Sequence, residues 1–516
     1  MKKPAKKPHP KGEPQAREIV HVTNKAIVDT YAGRVHIEWD HNTLLTPFGQ
    51  LAFFVEFLQR TELFDHFIEK CPLVLTSPNA PSNRDILGTI LLSVLAGHTR
   101  YAHMATVRTD KVNPPLLGMK KIVSDDSVRR ALQKIPSESG REWLVAELTH
   151  CYSEILHIPW VLDIDTTVKC LYGHQEGAVV GYNPKKPGRP AHIYHSYMIA
   201  AIRMIVDVEV MAGNESSASN TLPSLFSWID STPREKWPEF IRGDCGFGTD
   251  AVMSACETRQ LPYLFKLKQT VNTKRFIAQQ MVEGVWMAAG QGWQGAEGTL
   301  QLMGWKTARR AIVLRRKITK DVGVVTKESC DGQLKFTFAN VGDDINAYEY
   351  AVLVTTLPDE IRTIAQHYRE RADSENNFDE LKNQWGWSGY TTQDLHRCQL
   401  MARLIAIIYN WWTLFVRLVK PNHHLEAITS RPLLLHAVGR QTHHAGQTTI
   451  QVNSNHAGVT PIQVALSTLS DFFKTLKPSA EQLSRAERMR RVIYRAFKKF
   501  IDSVRHHPPN SRPVLT

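Results

Sequence analysis

The stretch Trp160-Val161-Leu162-Asp163-Ile164-Asp165-Thr166-Thr167-Val168-Lys169 is where a helical pattern gives way to strands. Apolar and polar side chains alternate along it, the period-two mark of a half-buried strand. Successive side chains of a strand point to opposite faces, so Asp163 and Asp165 share one face. Two more strand-like runs follow at 194–204 and 205–211, then a helical run at 222–229. Residues 239–248 read as a strand whose end is marked by Asp244 and three glycines; a helix over 249–260 and a strand at 263–268 come next. Strand, strand, strand, helix, strand, helix, strand is an α/β order.

A second stretch carries the chemistry: Tyr368-Arg369-Glu370-Arg371-Ala372-Asp373-Ser374-Glu375-Asn376-Asn377-Phe378-Asp379-Glu380-Leu381-Lys382. It lacks Pro and Gly and is rich in helix formers, so it reads as one helix. At roughly 100° per residue, Tyr368, Arg371, Glu375 and Lys382 fall within about 60° of one another. One carboxylate between two cations, with a phenol a turn earlier, suits a metal-binding acid flanked by groups that hold a phosphodiester. The plain alternative is a solvated face with an Arg371–Glu375 ion pair.

The spacing Tyr-x2-Arg-x3-Glu-x6-Lys resembles the signature of a large group of bacterial insertion-sequence transposases of the DDE type. The element order resembles the ribonuclease H-like fold, in which one acid sits on the first strand, a second at the end of the fourth, and the last on a late helix. Asp165, Asp244 and Glu375 match those places. Gly173-His174-Gln175-Glu176 resembles a segment that one subgroup carries after its first aspartate. The resemblance implies an α/β, ribonuclease H-like catalytic core with a β-rich insertion, flanked by helical regions. It further implies that Asp165 bridges two Mg²⁺ or Mn²⁺ ions, that Asp244 holds one and Glu375 the other, and that Arg371, Lys382 and Tyr368 grip phosphates. Oxygen ligands suit such hard cations. Asp163 shares the face of Asp165 and is the alternative ligand; Asp165 is preferred because Asp-Thr-Thr resembles the family pattern. Cys245 departs mildly from the residue that usually follows the second acid, which leaves the local phosphate contact open.

Other residues are candidate DNA contacts. Glycines and prolines enforce a loop over 173–190 that projects Lys185, Lys186 and Arg189. Arg129 and Arg130 stand at the start of a helix that Ser124 or Asp125 can cap; two cations there oppose the helix dipole unless an anion, a DNA phosphate or Asp125 and Asp126, lies close. Trp385 and Trp387 could stack on an unpaired base, although tryptophan is more often a core anchor.

Lysine and arginine number 63 against 50 acids, a net charge of +13 that favours a polyanionic partner, nucleic acid before membrane. Seven cysteines without a Cys-x-x-Cys pair argue against a zinc ribbon or disulfide framework and fit a reducing cytoplasm. The adjacent histidine pairs diverge and are assigned no metal. No Walker-type loop implies ATP. The apolar run 404–416 is too short to span a bilayer and reads as a buried helix.

The chain thus divides into a basic flexible tail and lead-in (1–40), a helical DNA-binding domain (41–150), a catalytic core (155–268 and 347–420), a β-rich insertion (269–346) and a helical C-terminal region (421–516). The resemblance implies cleavage at the element's terminal inverted repeats and strand transfer into target DNA, by a homodimer bridging double-stranded DNA. A transposase-derived regulator without cleavage and a metal-dependent nuclease of the same fold are the rival readings.

Overall fold

The computed structural model describes residues 25–40, 42–183, 186–215, 217–317, 348–421, 423–453, 459–477 and 483–506, with side chains at all of these except 217–222, 372–375 and 505–506. The chain separates into two units, residues 1–44 and 45–516. In the first, β1 (Lys25–Thr30) and β2 (Gly33–Glu38) form an antiparallel hairpin in the part of the chain expected to be a flexible lead-in. Gly33 at φ +102 makes the turn, and a Lys25–Glu38 ion pair of 2.6 Å joins the far ends. The basic tail expected over 1–16 lies outside the described residues.

A short β3 (Leu44–Thr46) spans the boundary, and the second unit continues with α1 (Leu51–Thr61) and α2 (Leu63–Glu69), separated by Glu62 in the left-handed region. Then come α3 (Asn83–Leu95), short α4 (Met104–Val107) and α5 (Asn113–Leu116), α6 (Asp125–Lys134) and α7 (Ser137–Tyr152). Ser82 with Asp85 builds a capping box at α3, and Ser124 caps α6 by accepting from Ser127 N. These helices do not close on themselves. Their buried side chains, Phe54 and Trp143 among them, belong to one continuous core with Ile164 of the sheet.

The mixed sheet starts with β4 (Val161–Cys170), the strand read first in the sequence. Two residues of β5 (Val179–Val180) precede β6 (Pro190–Ile199) and β7 (Met204–Ala212), which turn at Ala200–Arg203 rather than running on to 204. Helix α8 (Ser217–Ser231) leads to β8 (Phe240–Gly243), α9 (Asp250–Thr258) to β9 (Tyr263–Lys266). Strand β4 is antiparallel to β6 and parallel to β8, β6 is antiparallel to β7, and β8 is parallel to β9. After α10 (Val271–Glu283) come β10 (Met287–Gly290), β11 (Trp293–Leu300), β12 (Arg309–Lys317) and β13 (Tyr348–Thr355). They are hydrogen-bonded in series, β10-β11-β12-β13-β9, so the β-rich segment extends the same ten-stranded sheet. Of the alternating apolar runs that the sequence offers here, 311–314 lies within β12, 300–305 contributes only the last residue of β11, and 334–339 lies outside the described residues.

Next come α11 (Ile361–Arg369), α12 (Ala372–Asn383) and α13 (Leu395–Val419). At 25 residues, α13 is far longer than the apolar run 404–416 and is long and apolar enough to cross a membrane, yet 94% of its most apolar 18 residues are buried inside the protein. It is the core helix on which α1, α3, α6, α7 and β7 all pack. Two of its polar side chains explain how it sits against the sheet. Arg403, 3% exposed, pairs with Asp207 at 2.8 Å, and Asn410 bonds both the N–H and the C=O of Ile205. Beyond it lie α14 (Ala427–Leu434), a hairpin of β14 (Gly439–His444) and β15 (Gln447–Val452) that β3 extends, then α15 (Val459–Lys474), α16 (Arg485–Ala496) and α17 (Lys498–His506). The hairpin departs from the all-helical C-terminal region expected from the pattern.

Candidate active site

Parallel pairing of β4 and β8 sets the site. Asp163 is in register with Arg242 and Ile164 with Gly243, so the next residues along the two strands are Asp165 and Asp244. Gly243 lets the strand end pack tightly, since a Cβ there would lie 3.0 Å from Ile164 Cγ1. Strand β8 ends after Gly243, and Asp244 begins a turn in which its Oδ1 accepts from Gly246 N at 2.8 Å.

The two aspartates of β4 have different partners. Asp163, 2% exposed, is held by Arg242 in a two-bond fork: Nε to Oδ1 at 2.5 Å and Nη2 to Oδ2 at 2.8 Å. Asp165, 7% exposed, accepts from Arg371 Nη2 through Oδ2 at 2.7 Å, and from Thr166 N through Oδ1 at 2.7 Å. Arg371 is itself 5% exposed, so the pair is sequestered from solvent.

Arg242 also reshapes the segment 368–382. Its Nη1 donates to the carbonyl of His367. In an unbroken helix that carbonyl would accept from Arg371 N, four residues on. Arg371 N instead bonds Tyr368 O at 3.2 Å, and the chain divides into α11 and α12 with Arg371 as the N-cap of α12. The single helix read from the sequence is therefore two. Tyr368 lies near the C-terminus of α11, half-buried; the backbone of Glu375 lies in the N-terminal part of α12, and half-buried Lys382 near its C-terminus, two turns later. The Glu375 side chain lies outside the described residues.

Helix α12 is fixed by buried polar contacts rather than by an apolar stripe alone. Asn377 accepts from Tyr409 OH at 2.7 Å. Glu380, 1% exposed, accepts from Trp385 Nε1 at 3.0 Å, Ala427 N at 3.0 Å and His424 Nε2 at 2.7 Å. Each contact fully satisfies groups that would be costly to leave unpaired.

Trp387 requires a correction. It is 2% exposed, its Nε1 donates to Ala402 O at 3.2 Å, and its ring packs on Tyr194 and Phe378. Trp385 is fully buried beside Tyr409 and Arg431. Neither ring offers a face to a base; both anchor the turn after α12 to α13. Lys169 of β4 holds the same turn, with Nζ donating to Gly389 O and to Tyr194 OH at 3.2 Å. Burial pushes its amine down to about 8.

In the loop after β4, Lys186 Nζ donates to Tyr172 OH at 2.6 Å, and both Lys186 and Arg189 lie over the exposed Tyr172 ring, each at 5.3 Å. Lys185 lies outside the described residues. Glu176 ends the Gly-His-Gln-Glu segment by docking on α13: its carboxylate accepts from Leu395 N at 3.0 Å, at the helix start. Arg129 on α6 pairs with Asp125 at 2.9 Å and Asp126 at 2.5 Å, so the anion that the helix dipole calls for is supplied from within the first turn. Arg130 donates to Asp126 O at 3.2 Å and is exposed.

The parallel register thus sets Asp165 on β4 beside the end of β8, where Asp244 follows, and Arg371 joins Asp165 to the start of the helix that carries Glu375. Arg242 was missed in the sequence reading, although it stands two residues before Asp244. The donors gathered here are carboxylate oxygens, which suit a hard divalent cation, and the positive charge now on Asp165 belongs to a guanidinium.

A family model described as transposase DDE domain group 1 matches residues 54–472. No curated protein matches the chain. Among solved structures, the cryo-EM structure of the piggyBac transposase synaptic complex with hairpin DNA aligns over 88% of this chain and 86% of that one. The identity is 9% and the TM-score 0.36, too loose a likeness to bear on fold or function. The family match spans well over half of the sequence, all of the sheet and both helices of the signature segment, and the chain belongs to the transposase DDE domain group 1 family: it is a transposase of the DDE type.

Proposed function

We propose that this transposase works by cut-and-paste, cleaving at the terminal inverted repeats of a bacterial insertion sequence and joining the freed ends to target DNA. The observation that carries the reading is the parallel register of β4 and β8, which sets Asp165 beside the strand end that Asp244 follows, with Arg371 tying the start of α12, and so Glu375, to Asp165. The strand order β7-β6-β4-β8-β9, three antiparallel strands followed by two parallel ones, supports a ribonuclease H-like core. The Tyr368, Arg371, Glu375, Lys382 spacing and the Gly173–Glu176 segment support the insertion-sequence subgroup.

DDE transposases use divalent metal ions, and Asp165, Asp244 and Glu375 are the residues that would hold two Mg²⁺ or Mn²⁺ ions in this chain. When bound, such ions activate the attacking oxygen and stabilise the leaving one. Asp163 is the weaker candidate because a guanidinium fork from Arg242 holds both of its oxygens, whereas only one oxygen of Asp165 pairs with a cation. Arg371 pairs with Asp165, and its planar guanidinium is shaped to grip a phosphate as well. Lys382 and Tyr368 are the further phosphate contacts, and Lys185, Lys186 and Arg189 line a loop that would follow the DNA backbone. Arg130 is the stronger candidate of the α6 pair, since Arg129 is paired twice within its own helix. A homodimer bridging two element ends, in the cytoplasm at the nucleoid, completes the proposal.

Labelled element-end duplex, incubated with Mg²⁺ or Mn²⁺ and either wild type or Glu375→Ala, tests the reading. Metal-dependent nicking followed by joining, lost in a variant that still binds DNA, supports it. Binding without cleavage by wild type would favour the regulator, and cutting without joining the nuclease.

A further inference from the structure

Away from the sheet, α2 and α7 bring three ligand-type side chains together: His66 on α2, and Glu147 with His150 on α7. Glu147 and His150 are three residues apart and so stand side by side on one helical face. Glu147 is 1% exposed. His66 Nδ1 lies 2.7 Å from Glu147 Oε1, and His150 Nδ1 lies 3.7 Å from Oε2.

Short as the first distance is, His66 Nδ1, Glu147 Oε1 and Glu147 Oε2 are all buried without a well-directed hydrogen bond among the described residues. Three such atoms in one place are costly to leave without partners. One candidate ligand atom from each of the three side chains lies within 4.8 Å of the other two, close enough to share a single ion. The helices that carry them are already locked together, with Trp143 stacked on Phe67 at 4.7 Å and its Nε1 donating to Phe67 O at 3.0 Å. The scaffold is therefore preorganised. One cation faces the cluster: Arg485, at the start of α16, whose Nη2 is 3.4 Å from His150 Nδ1.

We infer that His66, Glu147 and His150 form a second metal site, separate from the carboxylates of the sheet, that takes a borderline transition-metal ion of the Zn²⁺ class. Two imidazole nitrogens and one carboxylate form a common Zn²⁺ donor set, with water completing the fourth position from the half-exposed His150 side. The ion pins α2 to α7 and makes a structural crosslink in the helices preceding the sheet. Arg485 gives way to it, because a guanidinium and the cation would compete for Glu147.

The test uses full-length protein stripped with chelator, then titrated with Zn²⁺ by calorimetry and with Co²⁺ by visible absorption. Wild type should take up about one tightly held Zn²⁺ per chain and show the intense bands of tetrahedral cobalt. The double variant His66→Asn/His150→Asn should bind at least about 100-fold more weakly and lose those bands. Asp165→Asn/Asp244→Asn should keep both, which separates this site from the catalytic carboxylates. Added Zn²⁺ should raise the thermal midpoint of wild type and of the aspartate variant, but not of a histidine variant whose circular dichroism is native. Absence of tight uptake by wild type, or uptake that survives loss of both histidines, would overturn the inference and leave Glu147 as the buried partner of His66 and Arg485.

Discussion

Arg371 and Asp165, 206 residues apart in the chain, meet at 2.7 Å between Nη2 and Oδ2. The arginine that opens α12 thus holds the acid in the middle of β4, and each is nearly sealed from water. Removing one partner of a buried pair leaves an uncompensated charge, at a cost of about 3–5 kcal/mol. Arg371→Ala should therefore lower the unfolding free energy by about 3 kcal/mol near neutral pH. Part of that loss should return with millimolar Mg²⁺, because a cation then takes over the charge of Asp165. Urea unfolding with and without Mg²⁺ checks both statements; an unchanged midpoint in the absence of metal would contradict the first.

Asp163→Asn and Asp165→Asn separate the two aspartates of β4. Asp163 and Arg242 form a structural fork that also caps α11, so Asp163→Asn should cost stability, on the order of 3 kcal/mol, and leave Mn²⁺ binding in place. Asp165→Asn should cost stability on a similar scale, about 3 kcal/mol, because it leaves Arg371 buried and uncompensated, but it should also bring a large loss of Mn²⁺ affinity. Equal loss of metal in both variants would mean that the fork opens when metal binds.

Trp387 belongs to the core, so Trp387→Ala should destabilise by about 3–5 kcal/mol through lost burial and a cavity. Trp387→Phe, which keeps most of the contact with Tyr194 and Phe378, should retain DNA cleavage close to wild type once folding is matched. A folded Trp387→Phe with strongly impaired cleavage would return the ring to a role on DNA.

Lys169 gives a pH signature. Burial brings its folded pKa to about 8 from 10.5, so between those values the unfolded chain binds more protons than the folded one. Stability from this residue accordingly rises as pH climbs from about 8 to about 10.5, and the protonated form is the destabilised one. In Lys169→Met that component of the slope should vanish, which chemical unfolding of both proteins across pH 7 to 10 in roughly half-unit steps would show. Parallel curves for the two would contradict it.

Much of the sheet was legible because β4, β8, β9 and β13 carry their own alternation or apolar runs and are bounded by glycines and charges. The acids could be located on elements by the same pattern. What could not be read locally is register. The pairing of Asp163 with Arg242 depends on two parallel strands 79 residues apart, and the break in the signature helix follows from where Arg242 reaches. Trp-Gly-Trp at 385–387 looks like a loop until α13 is known to run under it. Length misled in α13 itself, since Arg397 and Arg403 interrupt its apolar pattern, while Asp394 and Asp207 neutralise them in the fold. The β14–β15 hairpin is polar along both strands, with Ala445 and Gly446 at positive φ in its turn, so no hydrophobic periodicity announced it.

The number of metal ions held by Asp165, Asp244 and Glu375 is the most direct test of the proposed chemistry. Electron paramagnetic resonance of Mn²⁺, titrated into the complex of wild type with an element-end duplex, should give about two ions per active site. Asp165→Asn should remove both, and Asp244→Asn and Glu375→Gln one each, with DNA still bound. Full Mn²⁺ occupancy in Asp165→Asn would contradict the account, because the strand residue that Arg371 guards would then not be the metal ligand.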